Sequence, residues 1–443
     1  MEDEKFDCII VGGGVAGCAA AKILADNNMK ILLVEKGEWT GSKNVSGGVL
    51  YGPTAWEIFP ELYNTLENPP FERFINRRRL SFVSEESSFS IDYKTDHYNK
   101  VPYNGVSVLR SKFDRWLGEQ VEEAISKSSF AEDSFVATEV MVESLIVKNG
   151  KVCGIKAGED EFEADCVILA EGVNSLLTRQ IGLQKEMVDA KYVASGIKEI
   201  WQYDRDLLEA KFQLDGLEGL SNEFVGCTQG IEGGGFLYTN KDSISLGLVL
   251  GIKDLRESDH NIYDVLDKFK EHTSIKNILK GGKMVEYSAH VVPVGDIDMI
   301  PKQLYTDGAV VVGDAAGLLL NTGKSIEGMN LAMESGRLAA LAIIDAKKKK
   351  DFSKNSLKNY QDRLSESFVM KDLKNFRGAF QFIHNPDMFQ KYPDLINSIM
   401  KDVFLVDGQE KQKTRDIIKK AVDESDLSYW DLMKTTLQGG ISL

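Results

Sequence analysis

Three glycines in a short stretch, Gly12-Gly13-Gly14-Val15-Ala16-Gly17, match the spacing G-x-G-x-x-G and follow the apolar run Asp7 to Val11. That pattern suits the binding of a diphosphate. Gly12 permits a tight turn, Gly14 lets the backbone approach a pyrophosphate, and Gly17 lets the following helix pack closely on the strand. Val15 and Ala16 open that helix, whose free N–H groups and positive dipole end face the phosphates. A second apolar run, Lys30 to Val34, ends in Glu35, 18 residues beyond Gly17, with Lys36 beside it. That is close to the ~20-residue spacing of a carboxylate that grips ribose hydroxyls. An acidic residue here disfavours a 2′-phosphate. This unit predicts a βαβ dinucleotide site and does not separate FAD from NAD.

Two later signals bear on that choice. Cys166 to Arg179 reads as a buried strand running into Ala170-Glu171-Gly172, and Ala309 to Val312 as another, running into Gly313-Asp314. A strand that ends in Gly-Asp before a helix N-terminus suits a ribityl chain, since Asp314 can accept from its hydroxyls. Beyond it come Gly323, Ile326 and Gly328-Met329, then a helix of small residues through Ala332, Ser335, Gly336, Ala339 and Ala340. Arg110 opens a helix-like R-x-x-F-D-x-x-L stretch that ends at Leu117. Lys43, Asn44, Val45, Ser46, Gly47 and Gly48 form a glycine-bearing turn. There is neither a pair of catalytic carboxylates nor a metal-ligand cluster. The expected catalytic and metal residues are therefore none.

The three strand-and-turn signals, in this order and at this wide spacing, resemble the two-domain FAD family of glutathione-reductase-like flavoproteins, aromatic hydroxylases and geranylgeranyl reductases. The resemblance implies FAD as cofactor, with Arg110 neutralising its phosphate and Met141, in the strand-like run Thr138 to Val147, giving adenine a backbone contact. Three stretches narrow it further: Gly41 to Tyr51, Gly235 to Gly247, and Asn321 to Ala332. Together with Asn385-Pro386 and Tyr392-Pro393 they resemble the FixC family, relatives of electron-transfer flavoprotein:quinone oxidoreductase. That resemblance implies electrons received from an electron-transfer flavoprotein, with its alpha and beta subunits, and passed to a quinone. It also implies a FixABCX assembly, with a small ferredoxin-like subunit carrying the iron–sulfur centre and with electron bifurcation in some such complexes. The related dehydrogenases hold a four-cysteine cluster near the C-terminus, whereas the last cysteine here is Cys227. Aromatic hydroxylases show D-G-x-x-S-x-x-R, whereas Glu171 replaces the acid here and Arg179 comes one residue late. A geranylgeranyl-reductase-like lipid reductase and a structural-FAD assembly scaffold are the alternatives.

The bulk properties set limits. The chain has 443 residues, 43% hydrophobic and 27% charged, with a formal charge of -15. It is too long for one ordinary core, and its charge repels nucleic acid. Cys8, Cys18, Cys153, Cys166 and Cys227 show no C-x-x-C spacing. With no signal peptide and no span-length apolar run, a reducing cytoplasm is the expected setting. Contact with the cytoplasmic face of the cell membrane stays open. The basic runs Arg77 to Arg79 and Lys347 to Lys350 read as solvated surface, with anionic lipid or an acidic partner as the alternative. His290 is a possible flavin or quinone contact in a strand expected to re-enter the nucleotide domain.

The expected fold is α/β. Residues 1–52, 106–182 and 288–347 form a discontinuous, glutathione-reductase-type Rossmann-like FAD domain. Residues 53–105 and 183–287 form an α+β substrate or quinone domain, and 348–443 a helical C-terminal region. In that region Leu395, Ile396, Ile399, Met400, Val403 and Phe404 recur at helical spacing, and Tyr429 to Met433 is short and aromatic. Both read as core packing or as a docking face for a partner or membrane. Lys43 and Lys324 each place a cation in a glycine-bearing turn, where it would stabilise an anionic reduced flavin. Lys43→Ala and Lys324→Ala are expected to shift the flavin midpoint potential, measured by spectroelectrochemical titration. No shift in either variant would mean that both lysines only line the surface.

Overall fold

Cys8, Ile9 and Ile10 are fully buried in the first strand, β1 (Phe6–Val11). A strand buried on both faces reads as a continuous apolar run and belongs in the middle of a parallel sheet. A computed structural model, describing residues 5–44, 47–184, 189–295, 297–323 and 325–442, places it there. Val45, Ser46 and Lys324, singled out above, lie outside the described residues. Helix α1 (Val15–Asp26) and strand β2 (Ile31–Val34) complete the first unit. The chain later adds α2 (Arg110–Lys127), β3 (Phe135–Ala137), β4 (Asp160–Leu169), β5 (Ala309–Val311) and α3 (Met329–Lys349). The parallel order is β5-β4-β1-β2-β3, with Tyr305–Thr306 antiparallel at the β5 edge. In such sheets ligands bind beyond the carboxyl ends of the strands. Here those ends carry Gly12, Glu35, Ala170 and Gly313.

Small residues let α1 and α3 approach backbone to backbone. A Cβ on Gly17 would lie 1.9 Å from the Gly12 carbonyl oxygen, and one on Gly336 2.2 Å from the Ala16 carbonyl oxygen. The small-residue stripe expected after Gly328 is thus the contact face of α3, and it holds the glycine loop against the sheet.

A second, nine-stranded sheet covers the carboxyl ends of the first. Its order is Lys283–Pro293, Val193–Gln202, Ser243–Gly251, Gly233–Thr239, Glu218–Val225, Arg73–Val83, Gly105–Leu109 and Gly47–Tyr51, with Ser88–Lys94 paired to Arg73–Val83. This corrects the expected boundaries. Gly47–Tyr51, residues 106–109 of Gly105–Leu109 and the Ser288–Pro293 end of Lys283–Pro293 were placed with the nucleotide domain, yet their backbone bonds join them to this sheet. Single strands that enter and leave one sheet carry no composition shift at the crossing. The region after Asp351 is helical through Tyr429–Ser442. In Lys391–Phe404, Leu395 is buried, while Val403 and Phe404 are exposed. Trp430 and Met433 are exposed as well. Among the described residues no helix is long and apolar enough to cross a membrane.

Gly336→Ala tests the helix contact. Overpacking of this kind costs about 1–3 kcal/mol, so the variant is expected to unfold several degrees below the parent by differential scanning calorimetry. A wild-type midpoint would show that the helices separate freely.

Candidate functional site

Between the two sheets lies a cavity of about 1050 Å³. The described site residues line it: Gly12, Gly14, Val15, Ala16, Glu35, Lys36, Lys43, Asn44, Gly47, Gly48, Arg110, Met141, Ala170, Glu171, Gly172, Gly313, Asp314, Gly323, Ile326, Gly328 and Met329. Gly17 is buried beneath them and shapes the loop from behind.

The glycine loop is drawn together by a carboxylate. Glu35 accepts the Gly13 N–H at 2.8 Å on one oxygen and the Gly37 N–H at 2.7 Å on the other. It therefore fixes the turn while lining the cavity. Gly12 sits at φ +107°, and a Cβ there would meet the Ala170 carbonyl oxygen at 2.3 Å, so the two strand ends touch at a residue without a side chain. The space over Gly14 is open: a Cβ would come no nearer than 3.8 Å to Arg110 Nη2 and Asn44 Nδ2. Helix α1 has no side-chain cap and no acid in its first turn, which leaves its N–H groups to an outside anion. A cradle with donors on two sides and no internal occupant fits a pyrophosphate.

Arg110 is itself held in place. Its Nε and Nη2 donate to Asp114 at 2.8 and 2.6 Å, and Asn44 Nδ2 donates to the same carboxylate at 2.7 Å. Asp114 is fully buried. Burial works against the Arg110 charge, but the Asp114 carboxylate outweighs it and holds the guanidinium above its ordinary pKa. Among the described residues Nη1 has no hydrogen-bond partner, a geometry that suits a phosphate.

Beside the glycine loop, where a Gly313 Cβ would lie 3.2 Å from the Ala16 Cβ, the Gly313 N–H donates to Ser335 Oγ at 2.9 Å, which shapes the turn that carries Asp314. Burial pushes the Asp314 carboxyl above its usual range, against the pull of Arg110 and His290. His290 lies on the edge strand Lys283–Pro293 of the larger sheet, across the cavity from Asp314, rather than in a strand re-entering the nucleotide sheet. Burial lowers its pKa, and Asp314 pulls it upward. Gly328 caps the 21-residue helix α3, and the Met329 methyl lies 3.5 Å from where a Gly48 Cβ would be. The positive end of a long helix thus opens beside the Gly47–Gly48 strand.

Two sequence expectations are corrected in detail. Glu171 directs its carboxylate at the start of helix Leu176–Gln180, accepting from the Leu177 N–H at 2.9 Å and from the Thr178 N–H and Oγ1 at 2.7 Å each. Its side chain is a helix cap, and the residue lines the cavity as well. Met141 stands in an extended connection between Phe135–Ala137 and Ser144–Lys148, not in a strand. The Val140 N–H donates to the Glu35 carbonyl at 3.0 Å, which ties that connection to the end of β2.

The far wall was not read from the sequence. Strand alternation splits the Arg77 to Arg79 run. Arg77 and Arg79 point outward to Asp92, at 2.7 and 2.5 Å. Arg78 points inward to Glu223 at 3.7 Å, with its guanidinium carbon 5.2 Å from the Tyr51 ring centroid. The period-2 rule applied to that run would have separated the middle arginine. Tyr51, Glu223, Phe236 and Tyr238 line the cavity, with Phe236 and Tyr238 stacked at 5.1 Å. Burial pushes the hydroxyls of Tyr51 and Tyr238 and the Glu223 carboxyl upward.

Comparison with known proteins agrees across the chain. Residues 7–134 match the family of FAD dependent oxidoreductases, 193–292 a ubiquinone-binding domain of electron-transfer flavoprotein-quinone oxidoreductase, and 379–442 the ETF-QO/FixC family C-terminal domain. The chain is similar to the probable electron transfer flavoprotein-quinone oxidoreductase YdiS of Escherichia coli, with 39% identity over all of both chains. It is also 40% identical to protein FixC of Salmonella typhi over 99% of each. A geranylgeranyl bacteriochlorophyll reductase-like protein of Thermoplasma acidophilum shares the fold, with a TM-score of 0.72, 21% identity and coverage of 98% of this chain and 99% of that one. The halogenase CndH aligns with a TM-score of 0.66 at 16% identity, covering 99% of this chain and 97% of the other. The expected α/β fold with a helical C-terminal region, and FAD as cofactor, both hold.

Three variants separate the roles of the cradle. Arg110→Ala removes a phosphate partner and leaves buried Asp114 unpaired, so FAD retention is expected to fall by about 100-fold, in the range of a lost charge-assisted bond. Arg110→Ala with Asp114→Ala should recover part of that loss. Strictly additive losses, measured by equilibrium dialysis of FAD, would refute the pairing. Glu171→Ala is expected to cost about 1 kcal/mol of thermal stability as a lost cap and to leave FAD affinity unchanged.

Proposed function

This chain belongs to the FixC and electron-transfer flavoprotein-quinone oxidoreductase family, and on that premise we propose that it takes electrons from an electron-transfer flavoprotein and delivers them to a quinone. It is an FAD-dependent oxidoreductase. One observation carries the reading. The segment matched to a ubiquinone-binding domain, 193–292, supplies one wall of the same cavity whose opposite wall is the Gly12–Gly14 loop.

Bound FAD supplies reversible two-electron chemistry. The chain's part is to bind it, orient it and control what reaches it. The α1 N-terminus, Arg110 and Asn44 hold the diphosphate. Glu35 presents its carboxylate at the adenosine ribose, and Met141 offers its backbone to adenine. Asp314 takes the ribityl hydroxyls. Gly47, Gly48, Gly323, Ile326, Gly328 and Met329 surround the ring, with the α3 N-terminus favouring negative charge there. Phe382, Met388 and Phe389, from the C-terminal region, close the cavity with apolar side chains, which suits an apolar quinone tail.

In this reading the donor is the alpha–beta pair of an electron-transfer flavoprotein. With no cysteine beyond Cys227, this sequence has no thiolates in its C-terminal region for an iron–sulfur cluster. A small ferredoxin-like subunit carries that centre, in an assembly of the FixABCX kind, and bifurcation is a property of that whole assembly. The exposed Val403, Phe404, Trp430 and Met433 are the surface such partners, or the cytoplasmic membrane face, would cover.

The test is copurification followed by anaerobic spectroscopy. The purified chain is expected to arrive with electron-transfer flavoprotein subunits and a small iron–sulfur protein. Its FAD should be reduced by the electron-transfer flavoprotein and reoxidised by a short-chain quinone. A chain that comes out alone, ignores quinone and reduces polyprenyl lipids once treated with dithionite would overturn the reading.

A further inference from the structure

The other arginines of the strand Arg73–Val83 are each held by several hydrogen bonds. Arg73, fully buried, donates five hydrogen bonds, to Asn240, Gly216, Glu218, Glu209 and Lys241. Arg77 is forked on Asp92 and also reaches the Phe212 carbonyl. Arg78 differs. Among the described residues its one hydrogen bond is a long one, 3.4 Å from Nη2 to the Tyr51 hydroxyl, and its ion pair with Glu223 is open at 3.7 Å. Glu223 accepts from Ser221 Oγ at 2.5 Å on the same oxygen that faces Arg78, and the residue lines the cavity. A pair whose purpose was to join the strands Arg73–Val83 and Glu218–Val225 would close to hydrogen-bonding distance, as Arg73 does. This one stays apart beside an open volume.

The position is set by contacts already described. Tyr238 lies opposite Ser221 and Ser245 across its two neighbouring strands. A Cβ on Gly47 would lie 3.3 Å from Ser245 Oγ, and Gly48 faces Met329. Glu223 lines the same cavity as Gly47, Gly48 and Met329, on the side of Tyr51 at the far end of the Gly47–Tyr51 strand; the ring of the cofactor is held in that cavity in the proposed function, on which this inference rests.

We propose that Glu223 is the proton donor to the carbonyl oxygen of the quinone, with Arg78 and Ser221 as its positioning residues. Reduction of a quinone to a quinol takes up two electrons and two protons. Oxidation of the singly protonated, anionic reduced cofactor accounts for both electrons and one proton. The second proton leaves the Glu223 carboxyl as the new quinol O–H bond forms, and Glu223 is reprotonated from solvent through the open side of the cavity. Burial favours the protonated, donating form of Glu223, and Arg78 opposes it and stabilises the carboxylate left behind. The groups facing Glu223 are Arg78, Ser221, Tyr51 and Tyr238, with Glu327 close to Arg78 and Tyr51 on the neighbouring hairpin.

The test uses the FAD-loaded full chain and two acceptors. Ferricenium takes electrons without protons, whereas a short-chain ubiquinone analogue needs both. Glu223→Gln is expected to cut quinone turnover by at least about tenfold, as loss of a positioned proton donor does, while ferricenium turnover and FAD content stay at wild-type levels. Ser221→Ala, which keeps the ion pair, should reduce quinone turnover several-fold in the same selective way. A second readout needs no turnover: in an infrared pH titration of the FAD-free protein, one carboxyl band should titrate above the ordinary carboxylate range and be missing in Glu223→Gln. Wild-type quinone turnover in Glu223→Gln, or an unchanged carboxyl band, overturns the inference alone. A wild-type protein that reduces ferricenium but no quinone overturns the proposed function and this inference with it.

Discussion

The structure depends on one steric constraint, the approach of backbone to backbone at the carboxyl edge of the parallel sheet. The carbonyl oxygens of Gly12, Ala170 and Ala16 lie where side chains on Gly17, Gly12 and Gly336 would have to be. Because those side chains are absent, β1, β4, α1 and α3 converge on one point, and the free N–H groups of α1 open into the cavity. Glu35 then locks the loop through Gly13 and Gly37. The cradle for the diphosphate is therefore a property of packing, and Arg110 and Asn44 are added to it from elements far away in the chain.

Buried charge is placed with the same economy. Arg110, Asp114 and Asn44 form a closed set in which a buried carboxylate holds a guanidinium for use by a ligand. Asp314 is half-buried, and Arg110 and His290 favour its charge against desolvation. On the opposite wall Arg78 and Glu223 are left open to each other at 3.7 Å. Both side chains are only partly buried, and desolvation makes an unsaturated pair costly, so its position at the cavity rather than inside a strand interface is informative. Saturated and unsaturated arginines occur on a single strand, Arg73–Val83, which separates fastening from function within the same element.

The comparisons and the site point the same way from different evidence. Near 40% identity over the full length places the chain in its family. The fold alone is shared much more widely, with reductases and halogenases at 21% and 16% identity. The chemistry therefore has to be argued from the cavity wall and not from the two-sheet frame. The wall that differs most in character from a phosphate cradle, with Tyr51, Glu223, Phe236 and Tyr238 and with Arg78 behind Glu223, is built by the second sheet.

Much of this was legible in the residues. G-x-G-x-x-G between an apolar strand and a small-residue helix, Glu35 at the end of β2, and Gly313-Asp314 before α3 each carry a local physical requirement that shows in residue type and spacing. Local signals do not report where a side chain turns once its own needs are met. Glu171 sits in a cofactor-like motif yet caps a helix, and Met141 lies in a connection that only tertiary bonds to β2 hold extended. The run Arg77 to Arg79 looked like solvated surface, because three adjacent charges have no orientation until strand pairing assigns alternate faces. Membership of Gly47–Tyr51 and Gly105–Leu109 in the second sheet was likewise invisible, since hydrogen bonds between distant strands leave no trace in composition. The sequence by itself determined the dinucleotide fold, its FAD signature and its family likeness, because those rest on glycine and carboxylate positions that few other residues can fill. Only the tertiary structure decided which charges face the cavity, because burial and pairing are set by strands that meet across more than a hundred residues of chain.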